Sequence, residues 1–428
     1  MLQWIVLALI AQAPSAEYAV PAERGTAPAP AQQSTSAVPA TPSDTVGLAR
    51  IEDLAEDNSP IFRRATARIE AARGRQIQAG LYPNPRLDSG NPQTISGSSS
   101  VYTSGITQPI VTAGKRRLDQ QAATIGLEQA SLGFVQDRFE LLTNVRQQFY
   151  SVMAAERRIE VYHELIGITR KGLEAAQNLK NAGEGTYTDV LLMQTELKRA
   201  EVAEQNAKTL LLGQQRQLAA LIGLPDFIVN DVAGSLLDPL PTYNDEQIRQ
   251  FVVSQTAEVQ IAQLDVARNQ VLLRRARAQV VPNVDVTAGY QYSVSSPNNQ
   301  AVVGAVFPIP TWDRNQGNIR TARANISDAS ESRILLQNDL LRRAADASAR
   351  FQAARDMAER IGRDILPIAK QSQDAIRIGY SKGVFDISRL LQADRALAEA
   401  SLSYIDALET AWKAASEIAG LLQQESFP

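Results

Sequence analysis

The sequence predicts a mostly helical fold assembled from two copies of one structural half, each carrying a β-hairpin on very long antiparallel helices. Three observations lead there. The stretch LYPNPRLDSG from Leu81 to Gly90 returns about 200 residues later as VVPNVDVTAG from Val280 to Gly289, and Gly185-Thr186-Tyr187 up to Gln194 returns as Gly383-Val384-Phe385 up to Gln392. No proline interrupts Ile110 through Leu224, where the strong helix formers Ala, Leu, Glu, Gln, Arg and Lys dominate. Before the long helical tract of the second half, apolar and polar residues alternate, the period of a strand with one wet and one dry face.

The helical tract is unusually long. From Gly114 to about Ala182 the first half reads as one helix of roughly 100 Å, at about 1.5 Å rise per residue. Intrinsic propensity is too weak to order such a rod alone, so it must run beside other long helices. The returning arm supplies one: Val190, Met193, Leu197, Ala200, Ala207, Leu211, Leu218 and Leu221 fall on the three-four spacing of a coiled-coil seam. In the second half Leu391, Ala398, Ile405, Leu408, Trp412, Ala415, Ala419 and Leu422 keep the same rhythm. For one arm alone, an ordinary helix-bundle core reads equally well from this stripe.

The strand-like segments decide against an ordinary bundle. Val284, Val286, Ala288, Tyr290 and Tyr292 alternate with Asp285, Thr287, Gly289 and Gln291; Asn298 and Asn299 offer a turn, and Ala301 to Ile309 forms a second run before Pro310. That hairpin has membrane-spanning length and the alternation of an outer-membrane barrel strand. Its counterpart, Arg86 to Ile95 and Val101 to Ile110 around a turn at Gly97 to Ser100, is made polar by Arg86, Asp88, Asn91 and Gln93, and is assigned by its place in the repeat. A soluble hairpin packed on the helices stays open at this stage.

Composition narrows the compartment. Of 428 residues 44% are hydrophobic but only 6% aromatic, and no run approaches the roughly 18 apolar residues of a membrane helix. The absence of cysteine suits an exported bacterial protein without disulfides or a lipid-modified thiol. Residues 1–16 resemble a secretory leader, with an apolar core from Leu2 to Ala11 and small residues at Ala13 to Ala16, although no Lys or Arg precedes Arg24. Residues 17–45 are rich in Pro and Ala and read as an extended segment outside the fold. With 43 basic against 46 acidic residues, nothing points to nucleic acid.

No catalytic constellation appears. The one histidine, His163, sits mid-helix, and with no cysteine and four methionines a chain cannot build a soft or imidazole-rich metal cluster. There is no phosphate-cradling glycine loop and no serine elbow. No enzyme, cofactor or resident metal is expected. A passive conduit is the reading left, with a carboxylate-lined metal site on the helices as its nearest rival.

Several motifs then combine. Pro83-Asn84-Pro85, Gln108-Pro109-Ile110 running into Gly114-Lys115-Arg116, Phe307-Pro308-Ile309-Pro310 running into Asp313-Arg314-Asn315-Gln316-Gly317, Ile365-Leu366-Pro367, and Tyr380 to Gly383 together resemble the TolC-type outer-membrane efflux proteins, over about Val46 to Leu422. The resemblance is greater to the branch that serves cobalt-zinc-cadmium pumps. It implies a homotrimer in the outer membrane with a long periplasmic extension. Each chain gives four strands to a shared twelve-stranded barrel and its helices to a hollow α-barrel. It further implies contact with outer-membrane lipid, with a periplasmic adaptor and, through it, with an inner-membrane pump. Export of divalent heavy metals is the implied task, with drug or small-organic efflux, or protein secretion through the same architecture, as alternatives. A coiled-coil protein without a pore is the structural alternative. Four strands cannot close a barrel alone, and lipid does not tolerate open edges, so sharing the sheet with other copies agrees with elementary physics.

The functional residues expected from this picture lie in two places. At the far tips Gly185 and Gly383 reverse the chain. The resemblance carries a tip-closing network onto Thr188, Asp189 and Tyr380, whereas two positions that are acidic in the family's type member are Arg389 and Gln392 here, with Asp386 and Asp394 nearby. For Asp189 a plain helix cap is the competing reading. Near the membrane, Lys115, Arg116, Arg117 and Arg314 open the descending helices, where positive charge opposes the helix dipole, which suits lipid head groups or a solvated cluster.

The expected layout is a first repeat over residues 46–224 (strands about 85–95 and 101–110, tip about 183–188), a connector over 225–246 crossing the outside of the cylinder, and a second repeat over 247–424 (strands about 283–293 and 301–309, tip about 381–386). Pro367 should kink or break the second descending helix where the first runs straight.

Overall fold

The computed structural model describes residues 46–93, 101–227, 232–294 and 298–427. The expected leader, the Pro/Ala-rich segment and the turn at Gly97 to Ser100 lie outside the described residues. In chain order the elements are β1 (Val46–Gly47), α1 (Leu48–Asn58), α2 (Pro60–Gly80), β2 (Arg86–Gln93), β3 (Val101–Ile110), α3 (Lys115–Asn181), α4 (Tyr187–Leu221), β4 (Val232–Ala233), α5 (Asp245–Ser254), α6 (Ala257–Ala278), β5 (Val284–Ser293), β6 (Asn298–Val306), α7 (Gln316–Arg360), a π-helical turn (Ile361–Ile365), α8 (Leu366–Ser381) and α9 (Ile387–Leu421). This is the expected fold class: mostly helical, duplicated, with four long strands, to which two two-residue strands are added.

Local chemistry sets the boundaries. Ser59 caps α2 by accepting the Ile61 amide at 3.3 Å, with Pro60 at the first helical position, where a missing amide hydrogen costs nothing. Thr256 and Asn244 cap α6 and α5 in the same way. The two longest descending helices start after a left-handed residue, Gly114 at φ 67° and Asn315 at φ 57°. Helix α3 then runs unbroken for 67 residues. It packs against α2 and the returning α4 of its own repeat, and against α6 and α9 of the other, while α7 packs against α6 and α9.

The expected seams are dry where the helices meet. Val190, Met193, Ala200, Ala207 and Leu218 are buried, as are Ile405, Leu408, Trp412, Ala415 and Ala419. Midway along the molecule Tyr150 stacks on Trp412 with centroids 4.4 Å apart, and the Trp412 indole donates to the Leu236 carbonyl at 3.1 Å. That last bond fastens the connector, whose β4 also pairs in parallel with β1.

One expectation about shape holds and one is corrected. Regular α-helix is interrupted ahead of Pro367, whereas α3 is unbroken. The backbone widens into a π turn immediately before α8, the Leu366 amide reaching back to the Ile361 carbonyl, which makes room for a proline that has no amide hydrogen to give. The second strand of the later hairpin is Asn298–Val306 rather than Ala301–Ile309, because Asn298 and Asn299 pair with Ser293 and Tyr292 instead of turning, and pairing ends before Pro308.

All four long strands form one antiparallel sheet in the order β2-β3-β5-β6. Its central contact, β3 on β5, joins the two repeats in unbroken register from Ile110 opposite Val284 to Val101 opposite Ser293. One row across the sheet is Leu87, Ile106, Ala288 and Val303; the next, on the opposite face, is Arg86, Thr107, Thr287 and Gly304. The first row is exposed and apolar. On the second face Thr107 donates to Asp88 at 2.6 Å and accepts from the Thr287 hydroxyl at 2.9 Å, while Arg86 meets Asp285 at 3.1 Å.

Candidate functional site

The two ends of the long helices hold the candidate residues. At the end away from the sheet, the α3–α4 reversal places Gly183 in the left-handed region at φ 81°, and its amide and those of Glu184 and Gly185 return to the Lys180 and Leu179 carbonyls. Gly383 does the same at φ 73° between α8 and α9. The structural equivalent of Gly383 is therefore Gly183, and Gly185 matches Phe385. That corrects the sequence register of the tips by two residues. Gly185 is required for a different reason: a Cβ there would lie 2.9 Å from the Lys180 amide nitrogen.

With the tips so aligned, Thr186 and Asp386 are equivalent, and each caps its returning helix. Thr186 Oγ1 accepts the Asp189 amide at 3.2 Å, and Asp189 Oδ2 accepts the Thr186 amide at 3.1 Å, a reciprocal capping box. Asp386 accepts the Arg389 amide at 2.9 Å. Asp189 thus serves its own helix in this conformation. Thr188 and Gln392 are exposed, and the Arg389 guanidinium sits 5.4 Å over the Phe385 ring.

Tyr380 departs furthest from expectation. It is 4% exposed, inside an apolar cluster with Ala176, Val190, Met193, Ile387 and Leu390 that joins the first hairpin to the second. Burial, with the Asp189 charge adding to it, pushes its hydroxyl up to about 12. The contact is close: a Cβ at Gly172 of α3 would meet Met193 Cε of α4 at 2.4 Å and Leu390 Cδ2 of α9 at 3.5 Å. Glu196 adds a polar tie, accepting from Arg199 at 3.0 Å and from Arg395 of α9. Asp394 is not a free acid at the tip either. It is buried in the α8–α9 contact and accepts from Gln373 at 2.9 Å; burial raises its carboxyl above the usual range, against the lowering effects of the Gln373 bond and the Arg377 charge.

At the sheet end the four basic residues separate. Lys115 is 1% exposed, with Nζ donating to Asn283 Oδ1 at 2.6 Å, and burial together with the Arg275 charge lowers its pKa. It cross-links the repeats and does not face lipid, a correction to its expected role. Arg116 stacks 3.9 Å over Tyr82 and donates to the Gly80 carbonyl at 2.6 Å. Arg117 and Arg314 are exposed. Around them Tyr82, Phe307, Ile309 and Trp312 project into solvent, Trp312 at 89% exposure. None of these four is among the expected interface residues; the signal for them is the position of Tyr82, Phe307 and Trp312 just beyond the strand ends, where aromatic side chains mark a membrane interface. Among the described residues no group of three or more acidic or imidazole side chains could hold a metal ion, and no helix is long and apolar enough to cross a membrane.

Comparison with known proteins places this geometry. Over 393 residues the chain is 28% identical to the cobalt-zinc-cadmium resistance protein CzcC of Cupriavidus metallidurans, covering 91% of this chain and 93% of that one. It is 25% identical over 299 residues to the nickel-cobalt-cadmium resistance protein NccC of Alcaligenes xylosoxydans xylosoxydans, covering 68% of this chain and 66% of the other. The crystal structure of the outer membrane protein VceC from Vibrio cholerae superposes with a TM-score of 0.75 at 19% identity, over 88% of this chain and 96% of that one. The profile described as outer membrane efflux protein matches residues 52–224 and 253–422, one match on each repeat. The chain belongs to the outer membrane efflux protein family.

Proposed function

We propose that three copies of this chain form the outer-membrane exit duct of a tripartite efflux system that expels divalent heavy-metal cations, fed by an inner-membrane pump through a periplasmic adaptor. The observation that carries the substrate class is the similarity to CzcC along nearly the whole of both chains. The sheet supports the duct. Its two faces differ as a barrel wall must, an apolar row of Leu87, Ile106, Ala288 and Val303 toward lipid and a polar face with Arg86, Asp88, Thr107 and Thr287 toward the lumen. Both outer edges, β2 and β6, lack a strand partner among the described residues, which in lipid requires another copy on each side. Nothing in such a duct needs to bind the ion tightly, because a passive conduit must release what it admits.

The tips carry the control in this reading. The cluster around Tyr380 and Met193 and the Glu196 tie to Arg395 hold the two hairpins of one chain together. Opening the duct means separating them, while Thr186, Asp189 and Asp386 keep the returning helices capped. The test is deletion of the gene in its host, with cell-associated cobalt, zinc and cadmium measured after exposure. Accumulation of the metals, reversed by the intact gene, is expected. Unchanged metal content, with retention of drugs or of a secreted protein instead, would overturn the substrate class.

A further inference from the structure

The seam between the two repeats is built on a pair of glycines. Gly105 of β3 lies opposite Gly289 of β5. A Cβ at Gly289 would lie 2.8 Å from the Ser104 carbonyl oxygen and 2.9 Å from Gly105 Cα, and a Cβ at Gly105 would lie 3.1 Å from the Ala288 carbonyl oxygen. At this seam the strands approach so closely that a side chain at Gly289 would force the backbone apart, and one at Gly105 would fit only if the facing strand gave way by a few tenths of an ångström.

The duplication supplies a second such pair, split between opposite edges. The β2–β3 register sets Arg86 opposite Thr107, and the β5–β6 register sets Asp285 opposite Val306. Both hairpins therefore superpose at one offset, the offset that aligns Pro83 with Pro282. At that offset Gly90 corresponds to Gly289, and Gly105 corresponds to Gly304. Within the chain neither Gly90 nor Gly304 has anything within 4 Å of an added Cβ. Packing inside one copy gives no reason for either to be glycine. Each lies on a free edge strand, Gly90 on β2 and Gly304 on β6.

We infer that β6 of one copy pairs antiparallel with β2 of a second copy in the register of the internal seam, with Gly304 opposite the partner's Gly90, Ala305 opposite the partner's Ser89 and Val306 opposite the partner's Asp88. The chain then recognises its neighbour as its first half recognises its second, and the unexplained glycines become the close-approach pair of that contact. A repeated head-to-tail contact of this kind closes into a ring when the rotation permits. The inference rests on the proposed shared barrel and adds what that proposal leaves open, namely which residues meet.

Cysteine cross-linking tests it, because the chain has no cysteine of its own. Directly opposed residues on antiparallel strands have Cα atoms about 4.5–5.5 Å apart, within disulfide reach, whereas a slip of two residues gives about 7–8 Å, which is beyond it. The full-length protein is prepared in outer membranes as Ser89→Cys/Ala305→Cys, as the slipped pairs Leu87→Cys/Ala305→Cys and Asn91→Cys/Ala305→Cys, and as the internal equivalent Ile106→Cys/Ala288→Cys. Mild oxidation should convert Ser89→Cys/Ala305→Cys into a reducible ladder ending at the trimer. The slipped pairs should give no ladder, and the internal pair should close within one chain. A ladder from a slipped pair in place of the in-register pair would overturn the register while leaving the trimer standing. Absence of any heat-modifiable trimer before oxidation would overturn the shared barrel and this contact with it. As a second readout, Gly304→Val should abolish the unboiled trimer, and a trimer that survives it counts against the close approach.

Discussion

The guanidinium of Arg146, fully buried in α3, donates through Nε to Glu52 of α1 at 2.5 Å. Its other nitrogens donate to the carbonyls of Gln424 at 3.1 Å and Glu425 at 2.8 Å, and the ring of Phe427 lies 5.0 Å away. One cation thus gathers the first helix, the longest helix and the end of the chain at mid-height. Arg138 repeats the arrangement with Glu56 and Glu425 in a more exposed setting.

Removing Arg146 should be costly, because the charge of Glu52 and two carbonyls lose their partner in a buried place. Arg146→Ala is expected to cost about 3–5 kcal/mol. Amide exchange along α1 measures it, and the same loss of protection should follow from truncation before Gln424. The double variant with Glu52→Gln should cost less than the sum of the single changes.

The caps and the cluster at the tips should separate in a mutational series. Asp189→Ala or Thr186→Ala removes half of the capping box and should cost about 1 kcal/mol, confined to the first turn of α4 in amide exchange. Tyr380 donates to no described residue, so Tyr380→Phe should change stability by less than about 1 kcal/mol, whereas Tyr380→Ala should cost about 3–5 kcal/mol. Only the alanine variant should raise single-channel conductance in a planar bilayer, because only it dissolves the contact between hairpins.

Asp394 should make the α8–α9 contact dependent on pH. Its folded-state carboxyl lies above the ordinary value of 3.8, first because burial disfavours the charge. A raised acid binds more protons folded than unfolded, so the contact is most stable below the ordinary value. Stability then falls as pH rises through the interval up to the raised value, and is level above it. Asp394→Asn should flatten that dependence, read as α8 and α9 exchange protection between pH 3 and pH 7.

Replacement of Pro367 tests the origin of the π turn. Pro367→Ala restores an amide hydrogen, so α7 and α8 should relax toward one regular helix, with Gly362 displaced from its packing against the Tyr404 ring. Paired spin labels at the exposed positions 359 and 370 should report a lengthening, since an α-helix rises more per residue than a π turn; an unchanged separation means that the Gly362–Tyr404 contact holds the turn by itself.

The extent to which this fold can be read in advance depends on how local its determinants are. The duplication, the proline-free descending helix and the β5 alternation are properties of contiguous residues, and they fix class and order. Even β2, with Arg86 and Asp88 in it, is legible through its repeat. The tip register is not, because two glycines stand in one short turn and only the backbone angle distinguishes Gly183 from Gly185. Lys115 reads as a solvated charge until Asn283, remote in sequence, closes over it. Tyr380 carries a polar group, and nothing nearby in the chain announces that Ala176 and Met193 enclose it. Thr186 was available as a cap from sequence, since Asp189 follows it at the capping-box spacing.

If one chain is a third of a duct whose wall is completed by its neighbours, the mass of the complex extracted from outer membranes in mild detergent, measured by native mass spectrometry, shows it. Three copies are predicted, falling to single chains together with loss of β-structure when the membrane extract is boiled. A stable single chain that keeps its strands paired in detergent is incompatible with a shared barrel.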